Sequence, residues 1–405
     1  MTYGTMKRLS GVAAAVALAV TPVLPMAQTG PMQMGPMKQT ATQAGDALDP
    51  PLREVPIALI MDADGGVPFY AKDADRRFIP ASLTKLMTVY TAFELLKQGR
   101  LSHDQRLPVS DRTAREWSGK GSTMFSVANT SLSVDTLLKA ILTVSANDGC
   151  VILAEGAAGS IEGWTALMNA NAEKLGMDDS HFNTPNGWMD EGRTYTSARD
   201  LATLTRALLT EHGDLYRRYF ALPKFSYNKI TQNNRNPILG YVEGADGLKT
   251  GFTNEAGYGF VGSAERDGRR LIMVLGGAES SAQRKQVARD FMEWGFASWD
   301  AQTIYGKGQP VGTVAVQGGA SRQVAVAASR AVNLSVPHGQ KADANVTMRY
   351  QGPVAAPIRK GQRVGELLVA RDGAEPARFD LVAAEDVAEA NMLQRLRNGL
   401  LGLFG

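Results

Sequence analysis

Apolar residues recur at helical spacing directly after Pro80, and proline's fixed φ suits the first turn of a helix. The apolar positions of this segment are Leu83, Leu86, Met87 and Tyr90. The pattern predicts a buried helix over residues 79–90. Residues three apart share a helix face, so this helix places the hydroxyl of Ser82 beside the amine of Lys85.

A β-hairpin and a series of capped helices surround this segment. Residues 57–61 and 67–70 read as two strands joined by a turn, and residues 91–129 include a long polar loop region. Ser133 is a good N-cap for a helix that ends near Val144, and residues 150–154 resume the helical pattern. Ser145 and Asn147 are therefore expected at a junction between two helices.

Two further helices follow with the same kind of start signal. Ser160 is expected to cap a helix that Gly176 ends, and Ser197 with Asp200 three positions later forms a box-like cap for the next one. The segment between them, residues 180–196, is irregular and rich in turn residues.

The pattern changes to strands after Gly244. Residues 248–253, 259–264 and 271–275 are predicted strands, and a closing helix begins near Ala282. Strands at both ends with helices between them predict a layered α/β (α+β) domain over residues 53–298, whose antiparallel sheet is completed by the N-terminal hairpin. Short β-type runs then predict a small all-β domain over residues 299–384, with a spacing or docking role.

Both termini carry targeting signals. Lys7 and Arg8 precede an apolar run at residues 12–20 that is too short to span a bilayer, and small residues follow up to Ala27. This pattern predicts a cleaved signal peptide over residues 1–27, with a retained membrane anchor as the alternative. Residues 28–52 are rich in Met, Pro, Gln and Gly without periodicity, which predicts a disordered lead-in.

Residues 385–405 are predicted to form an amphipathic helix at a membrane interface. Its apolar face carries Leu393, Leu396, Leu400, Leu403 and Phe404. The alternative is a terminal helix that docks on the protein's own β domain. With the signal peptide, the pattern predicts a chain secreted across the inner membrane into the periplasm and attached peripherally to that membrane.

Composition narrows the possible functions. A chain of 405 residues with 44% hydrophobic content is large enough for two domains, each with its own core. The net charge of +3 and the lack of basic runs argue against nucleic acid as a partner. One cysteine, Cys150, and four scattered histidines show no zinc spacing and allow no internal disulfide, so no metal or cofactor is expected.

A catalytic role for Ser82 and Lys85 needs further support, because the Ser-x-x-Lys pattern also occurs by chance. A second copy at Ser226 and Lys229 has no helical apolar face. Two short patterns supply that support. Ser145-Ala-Asn147 lies at the predicted helix junction, and Lys249-Thr-Gly251 lies on a predicted strand, where it offers a positive charge, a hydroxyl and a glycine that lets a ligand approach the backbone.

Ser-x-x-Lys, Ser-x-Asn and Lys-Thr-Gly, in this order and in these contexts, resemble the motifs of penicillin-binding proteins and β-lactamases. The chain resembles most closely the low-molecular-mass penicillin-binding proteins that are D-alanyl-D-alanine carboxypeptidases, of peptidase family S11 and penicillin-binding protein 5/6 type. The resemblance implies a β-lactamase/transpeptidase-like catalytic domain, a β-rich second domain and a C-terminal amphipathic anchor. It implies a peptidoglycan stem peptide ending in D-Ala-D-Ala as substrate and β-lactam antibiotics as covalent inhibitors.

The resemblance also assigns roles to the catalytic motif residues. Ser82 would be the nucleophile and Lys85 its base, kept neutral with help from the nearby charge of Lys249. Ser145 would relay the proton to the leaving amine, and Asn147 would hydrogen-bond the substrate amide or the lysine.

The remaining roles concern substrate binding. The backbone N–H groups of Ser82 and Phe252 match the oxyanion-hole positions. Lys249, Thr250 and Arg235 would bind the terminal carboxylate, although a structural salt bridge in a loop is an equal alternative for Arg235.

Three other readings stay open at this point. A β-lactamase would share the motifs, but the Glu-x-x-Leu-Asn loop of the class A enzymes is absent and the middle motif is Ser-Ala-Asn rather than Ser-Asp-Asn. A D,D-endopeptidase of the same fold would cut cross-links between stem peptides. A catalytically inactive scaffold would only hold peptidoglycan.

Overall fold

The structure is a computed structural model that describes residues 2–5, 50–52, 54–64, 68–117, 119–341, 343–370, 376–392 and 394. The chain forms two compact units. The first consists of Pro50–Ala63 and Pro68–Ala297, and the second of Met1–Asp49, Asp64–Val67 and Ser298–Gly405.

The elements are numbered along the whole chain, which begins with the short strand β1 (Thr2–Thr5) of the second unit. The strands of the first unit are β2 (Ile57–Asp62), β3 (Pro68–Lys72), β4 (Arg106–Val109), β5 (Thr130–Ser133), β6 (Lys224–Tyr227), β7 (Ile230–Asn233), β8 (Ala245–Thr253), β9 (Gly257–Arg266) and β10 (Arg269–Ala278). Its helices are α1 (Lys85–Lys97), preceded by a 3₁₀ turn (Ala81–Thr84), α2 (Asp111–Trp117), α3 (Val134–Val144), α4 (Asn147–Ala158), α5 (Ile161–Leu175), α6 (Ala198–Glu211), α7 (Gly213–Tyr219) and α8 (Ser281–Ala297).

A five-stranded antiparallel sheet with the order β3-β2-β10-β9-β8 forms the centre of the first unit. Every residue of β2 is buried, because helices cover both faces of the sheet. Leu59 belongs to the core shared with α1 and α6, whereas its neighbour Ile60 belongs to the core shared with α8. The predicted antiparallel sheet flanked by helices is confirmed, and β8 lies at its edge.

Helix starts and ends follow the predicted caps closely. The Ser133 hydroxyl accepts a hydrogen bond from the Thr136 N–H at the start of α3, and Ser160 does the same for Gly163 at the start of α5. Gly176 ends α5 with a φ of 71°, in the left-handed region that glycine favours. These local signals are strong because each cap satisfies a backbone group that the helix leaves open.

The structure corrects the sequence prediction in several places. The region predicted as polar loop before Asn129 contains β4 and α2, and α7 and the β6–β7 hairpin were also missed. These elements are short: β4 buries only Leu107 and Val109, which is too little pattern to recognise. Only one of the two hydrogen bonds of a capping box forms at the start of α6. The Ser197 hydroxyl accepts from the Asp200 N–H, whereas the Asp200 carboxylate accepts from the Asp179 N–H and the Ser180 hydroxyl instead of from the Ser197 N–H.

The second unit is all-β, as predicted. Its remaining strands are β11 (Trp299–Tyr305), β12 (Pro310–Gln317), β13 (Gln323–Ala328), β14 (Val332–Pro337), β15 (Asn345–Tyr350), β16 (Val354–Ala355), β17 (Arg363–Ala370) and β18 (Ala377–Ala383). One sheet has the order β1-β15-β17-β18-β13-β12-β16, and β11 pairs with β14. Alternate residues of β18, including Phe379 and Leu381, point into a core of mainly Val, Leu and Ala side chains.

Three predictions fall largely outside the described residues. These are the signal peptide of residues 1–27, of which only β1 is described, the lead-in of residues 28–52, of which only residues 50–52 are described, and the terminal helix of residues 385–405, of which residues 393 and 395–405 are not described. The described residues 385–391 are not helical, because Val387 and Glu389 form isolated β-bridges with Ile358 and Gly319. Among the described residues, no helix is both long and apolar enough to cross a membrane.

Candidate active site

Ser82 and Lys85 lie on the 3₁₀ turn and at the first position of α1. A 3₁₀ turn has three residues per turn, so side chains three apart lie directly above one another. The Lys85 Nζ lies 2.8 Å from the Ser82 Oγ and also donates to the backbone oxygen of Asn186 at 2.6 Å. The α-helix begins at Lys85, six residues after the predicted start at residue 79, and the 3₁₀ turn of residues 81–84 that precedes it aligns the pair better than an α-helix would.

Lys85 is completely buried. Burial disfavours its charged form and lowers the pKa of Lys85 to about 8, and the positive charge of Arg235 lowers it further while Asp148 opposes the shift. A substantial fraction of the amine is therefore neutral near physiological pH. Such an amine can take the proton of the adjacent hydroxyl.

Two glycines allow other segments to reach this turn. A Cβ on Gly187, whose φ is +70°, would lie 1.8 Å from the Ala81 backbone oxygen. A Cβ on Gly251 would lie 2.7 Å from the backbone oxygen of Pro80. The close approach that Gly251 permits is thus to the turn that carries Ser82, rather than to a ligand as the sequence suggested.

Ala81 precedes Ser82 with a φ of 47°, a left-handed conformation that a residue with a Cβ rarely adopts. Such a conformation costs on the order of 1–2 kcal/mol and persists only where the surroundings enforce it. The close contacts of Gly187 and Gly251 with this turn are those surroundings.

The predicted junction between two helices is present, and Ser145 and Asn147 lie on it. Ser145 ends α3 with a φ of 64°, and its Oγ is buried without a hydrogen-bond partner among the described residues. Asn147 begins α4, and its side-chain Nδ2 donates to the Lys120 backbone oxygen at 3.0 Å. A buried hydroxyl without a hydrogen bond destabilises the fold, so the Ser145 hydroxyl is available to hydrogen-bond a bound group.

Asn186 connects the junction to the lysine. Its backbone oxygen accepts from Lys85, and its side-chain nitrogen lies 3.5 Å from the Asn147 backbone oxygen. In this structure the hydrogen-bond partner of Lys85 outside its own helix is therefore Asn186 and not Asn147. Asn186 was missed because a backbone acceptor leaves no residue-type signal in the sequence.

Lys249 is buried on β8, where its Nζ donates to the Thr250 backbone oxygen at 2.9 Å. Burial lowers the pKa of Lys249 well below its usual range, and the charges of Lys85 and Arg235 lower it further. Lys85 thus contributes to the shift of Lys249, whereas the positive charge that lowers the pKa of Lys85 is that of Arg235 and not, as predicted, that of Lys249; burial is the largest cause for both lysines. The site holds surplus positive charge that an anionic ligand would relieve.

Arg235 and Phe252 lie at the exposed margin of this group. The Arg235 guanidinium donates to the Ser122 hydroxyl at 2.5 Å and forms no ion pair with a carboxylate among the described residues. Its charge lowers the pKa of both buried lysines. Phe252 is 45% exposed and stacks on Tyr258.

The comparisons with known proteins agree with this geometry. Residues 47–280 match the family model for D-alanyl-D-alanine carboxypeptidase, Peptidase_S11, and residues 299–389 match that for the penicillin-binding protein 5 C-terminal domain. The D-alanyl-D-alanine carboxypeptidase DacA of Haemophilus influenzae is 31% identical over 88% of this chain and 92% of its own length. The chain belongs to peptidase family S11.

Solved structures show the same relationship. Penicillin-binding protein 5 from Haemophilus influenzae superposes with a TM-score of 0.65 at 30% identity, covering 84% of this chain and all of that one. Penicillin-binding protein D2 from Listeria monocytogenes, solved in an ampicillin-bound form, has a TM-score of 0.52 at 31% identity and covers 60% of this chain and 97% of that one. The predicted family, fold and serine carboxypeptidase activity with penicillin binding are confirmed.

The second Ser-x-x-Lys pair of this S11 peptidase has no part in the site. Ser226 lies on β6, where its hydroxyl pairs with that of Thr231, and Lys229 lies in the hairpin turn with a φ of 62°. Cys150 is buried, and burial raises the pKa of its thiol to about 12, which keeps it protonated. The strand position of Ser226 agrees with the lack of a helical apolar face in its sequence.

Arg284 of α8 is a further charged residue near the site that the sequence did not reveal. Its guanidinium is buried, lies 3.4 Å from the Gly251 backbone oxygen, and leaves its Nε without a hydrogen-bond partner. Burial, and then the charge of Arg235, lower the pKa of Arg284 to about 10. It adds to the positive charge behind β8.

One group in the described part of the chain has the composition of a metal site. Potential ligand atoms of Glu94, Glu211 and His212 lie within 4.8 Å of one another. However, Lys174 donates to the Glu94 carboxylate at 2.9 Å, and the Tyr90 hydroxyl donates to Glu211. The group is therefore a polar network balanced by an ammonium, and the S11 chemistry uses none of its members.

Proposed function

We propose that Ser82 is the nucleophile of this carboxypeptidase and that its substrate is a peptidoglycan stem peptide ending in D-Ala-D-Ala. The observation that carries the proposal is the 2.8 Å contact between the Ser82 Oγ and the fully buried Nζ of Lys85, whose pKa is lowered to about 8. A hydroxyl becomes a nucleophile when an adjacent base accepts its proton. Lys85 is that base when it is neutral.

The reaction follows in two steps. As Lys85 takes the hydroxyl proton, Ser82 attacks the carbonyl between the two D-alanines, and the backbone N–H groups of Ser82 and Phe252 stabilise the negative oxygen. Ser145 passes a proton to the departing amine, which releases D-alanine and leaves an acyl group on Ser82. Water then hydrolyses this ester. A β-lactam enters by the same attack on its ring carbonyl and remains as an acyl group.

Positive charge and a free strand edge account for binding of the peptide. Lys249, Arg235 and the hydroxyl of Thr250 are the partners of the terminal carboxylate, which relieves the surplus charge between the buried lysines. Since β8 is the edge strand of its sheet, an extended peptide can add alongside it. Gly251 holds that edge against the nucleophile's turn.

The place of action is proposed from the sequence. Lys7, Arg8 and the apolar run at residues 12–20 support export, and the apolar face of residues 393–404 supports attachment to the outer face of the inner membrane. A variant that lacks residues 390–405 is expected to stay in the soluble fraction when membranes are sedimented. If it sediments as the full chain does, the anchor proposal is wrong.

The experiment for the function is incubation of the protein with a pentapeptide ending in D-Ala-D-Ala. We expect release of D-alanine, loss of release in Ser82→Ala, and unchanged release in the matched variant Ser226→Ala. Unchanged release in Ser82→Ala would contradict the proposal and leave a binding role for the motif. A cross-linked peptide dimer in the same assay separates carboxypeptidase from D,D-endopeptidase activity, and rapid turnover of penicillin would indicate a β-lactamase.

A further inference from the structure

The second unit has a surface cavity of about 320 Å³ at the end of β12. Arg322 is the one charged side chain among its lining residues, and Gln317 adds a side-chain amide. Val316, Pro353 and Ala390 give the cavity an apolar side. The cavity therefore combines hydrogen-bond donors for an anion with a surface for hydrocarbon.

The Arg322 side chain is exposed, and in the described part of the chain its guanidinium forms no hydrogen bond or ion pair. Two other arginines of the same unit are paired, Arg330 with Asp64 and Arg363 with Asp380. A guanidinium presents a planar fork of N–H groups that matches two oxygens of a phosphate. Arg322 is thus available to a phosphate that enters the cavity.

The chain that leads to the C-terminal residues is held at the rim of this cavity. Glu389 forms an isolated β-bridge with Gly319, and the Ala390 N–H donates to the Gly318 backbone oxygen at 2.9 Å. Glu389 is exposed and does not line the cavity, so no carboxylate among the lining residues opposes an anion. The position of residue 390 relative to the cavity is therefore fixed by the β domain itself.

A helix begins directly after this rim. The Asn391 side chain accepts from the Gln394 N–H and the Gln394 side chain accepts from the Asn391 N–H, both at 2.9 Å, which is the reciprocal pattern of a capping box. Met392 is helical and 90% exposed. It precedes Leu396 by four residues and Leu400 by eight, so its spacing adds it to the apolar face predicted from the sequence.

An amphipathic helix in a membrane interface lies at the depth of the lipid headgroups. A cavity beside the first turn of such a helix meets the phosphate groups of the lipids. We propose that the cavity lined by Arg322 and Gln317 binds the phosphate group of a membrane phospholipid, with the guanidinium of Arg322 as its main contact. The inference rests on the proposed attachment to the inner membrane and does not involve the carboxypeptidase chemistry.

Sedimentation of the full chain with vesicles of phosphatidylcholine and phosphatidylglycerol tests the site. We expect the partition coefficient to fall about fivefold in Arg322→Gln, the effect of one basic residue at an anionic membrane surface. Arg322→Lys keeps the charge without the planar fork, so its partition coefficient should lie between the two. The matched control is Lys307→Gln, which removes an exposed cation roughly 20 Å away at the opposite end of β12 and should leave partition unchanged.

No loss in Arg322→Gln, or an equal loss in Lys307→Gln, would overturn the phosphate site. Full binding by Arg322→Lys would indicate general charge attraction and would overturn it as well. Calorimetric binding of glycerol phosphate that needs Arg322, together with unchanged vesicle binding by Arg322→Gln, would assign the cavity to a soluble anion instead.

Two outcomes separate this site from the proposals on which it borders. If the unmodified chain does not sediment with the vesicles, the phosphate site and the membrane attachment are both wrong. If it sediments and only the Arg322 comparison fails, the attachment stands without the site. D-alanine release from the pentapeptide should be the same in all three variants, so the proposed function is tested independently by Ser82→Ala.

Discussion

Acylation of Ser82 is expected to depend on pH through the protonation of Lys85. Its pKa is lowered to about 8, and only the neutral amine can accept the hydroxyl proton. The neutral fraction is about 1% at pH 6, about 9% at pH 7 and about 50% at pH 8. The rate of acylation should therefore rise nearly tenfold per pH unit up to pH 7, bend near pH 8, and reach a plateau above pH 9.

The assay is the second-order rate of acylation by benzylpenicillin, measured from pH 5.5 to 9.5 at constant ionic strength. Penicillin isolates the acylation step, because its acyl group leaves slowly. Between pH 6 and pH 9 the rate should rise roughly ninetyfold. A lysine at its ordinary pKa would give a rate that still rises about ninefold between pH 8.5 and pH 9.5. That result, a flat profile, or a midpoint near 6.5 would refute Lys85 as the base.

Three further predictions concern the surroundings of Lys85. Arg235→Gln removes a positive charge that lowers the pKa of Lys85, so the midpoint of the acylation profile should move to higher pH; no movement would exclude this coupling. Asp148→Asn removes an opposing negative charge and should move the midpoint to lower pH in the same assay; a move upwards would contradict the sign. Gly187→Ala should lower the free energy of unfolding, measured in urea, by roughly 3 kcal/mol or more, because its Cβ would clash with the turn around Ser82. Gly192→Ala, at a similar φ but in open space, should lower it by only about 1 kcal/mol.

The sequence was sufficient for those parts of the fold that depend on local signals. The predicted helix ends agree with the structure: Ser133 and Ser160 accept hydrogen bonds from open backbone N–H groups at the starts of α3 and α5, and Gly176 ends α5. The three motifs were also recognisable, because their residue types, spacing and order along the chain can be read directly from the sequence. Short elements such as β4 and α2 were missed, since each buries only two side chains.

The parts of the site that depend on close packing could not be read from the sequence. Asn186 contributes a backbone oxygen, for which any residue type would serve. Gly187 and Gly251 are needed because distant segments meet the turn around Ser82, and only the fold reveals those contacts. Arg284 approaches β8 from α8, more than thirty residues later in the chain, and no local pattern marks its buried position.

The central claim is that Ser82 carries the acyl group. Ser145 of the Ser-x-Asn motif and Ser226 of the second Ser-x-x-Lys pair do not. Its most direct test is mass spectrometry of the protein after brief exposure to benzylpenicillin, with digestion to locate the adduct. The structure predicts one penicilloyl group per chain, on the peptide that contains Ser82 and Lys85, and none in Ser82→Ala. An adduct on Ser145 or Ser226, or undiminished labelling of Ser82→Ala, would contradict the account.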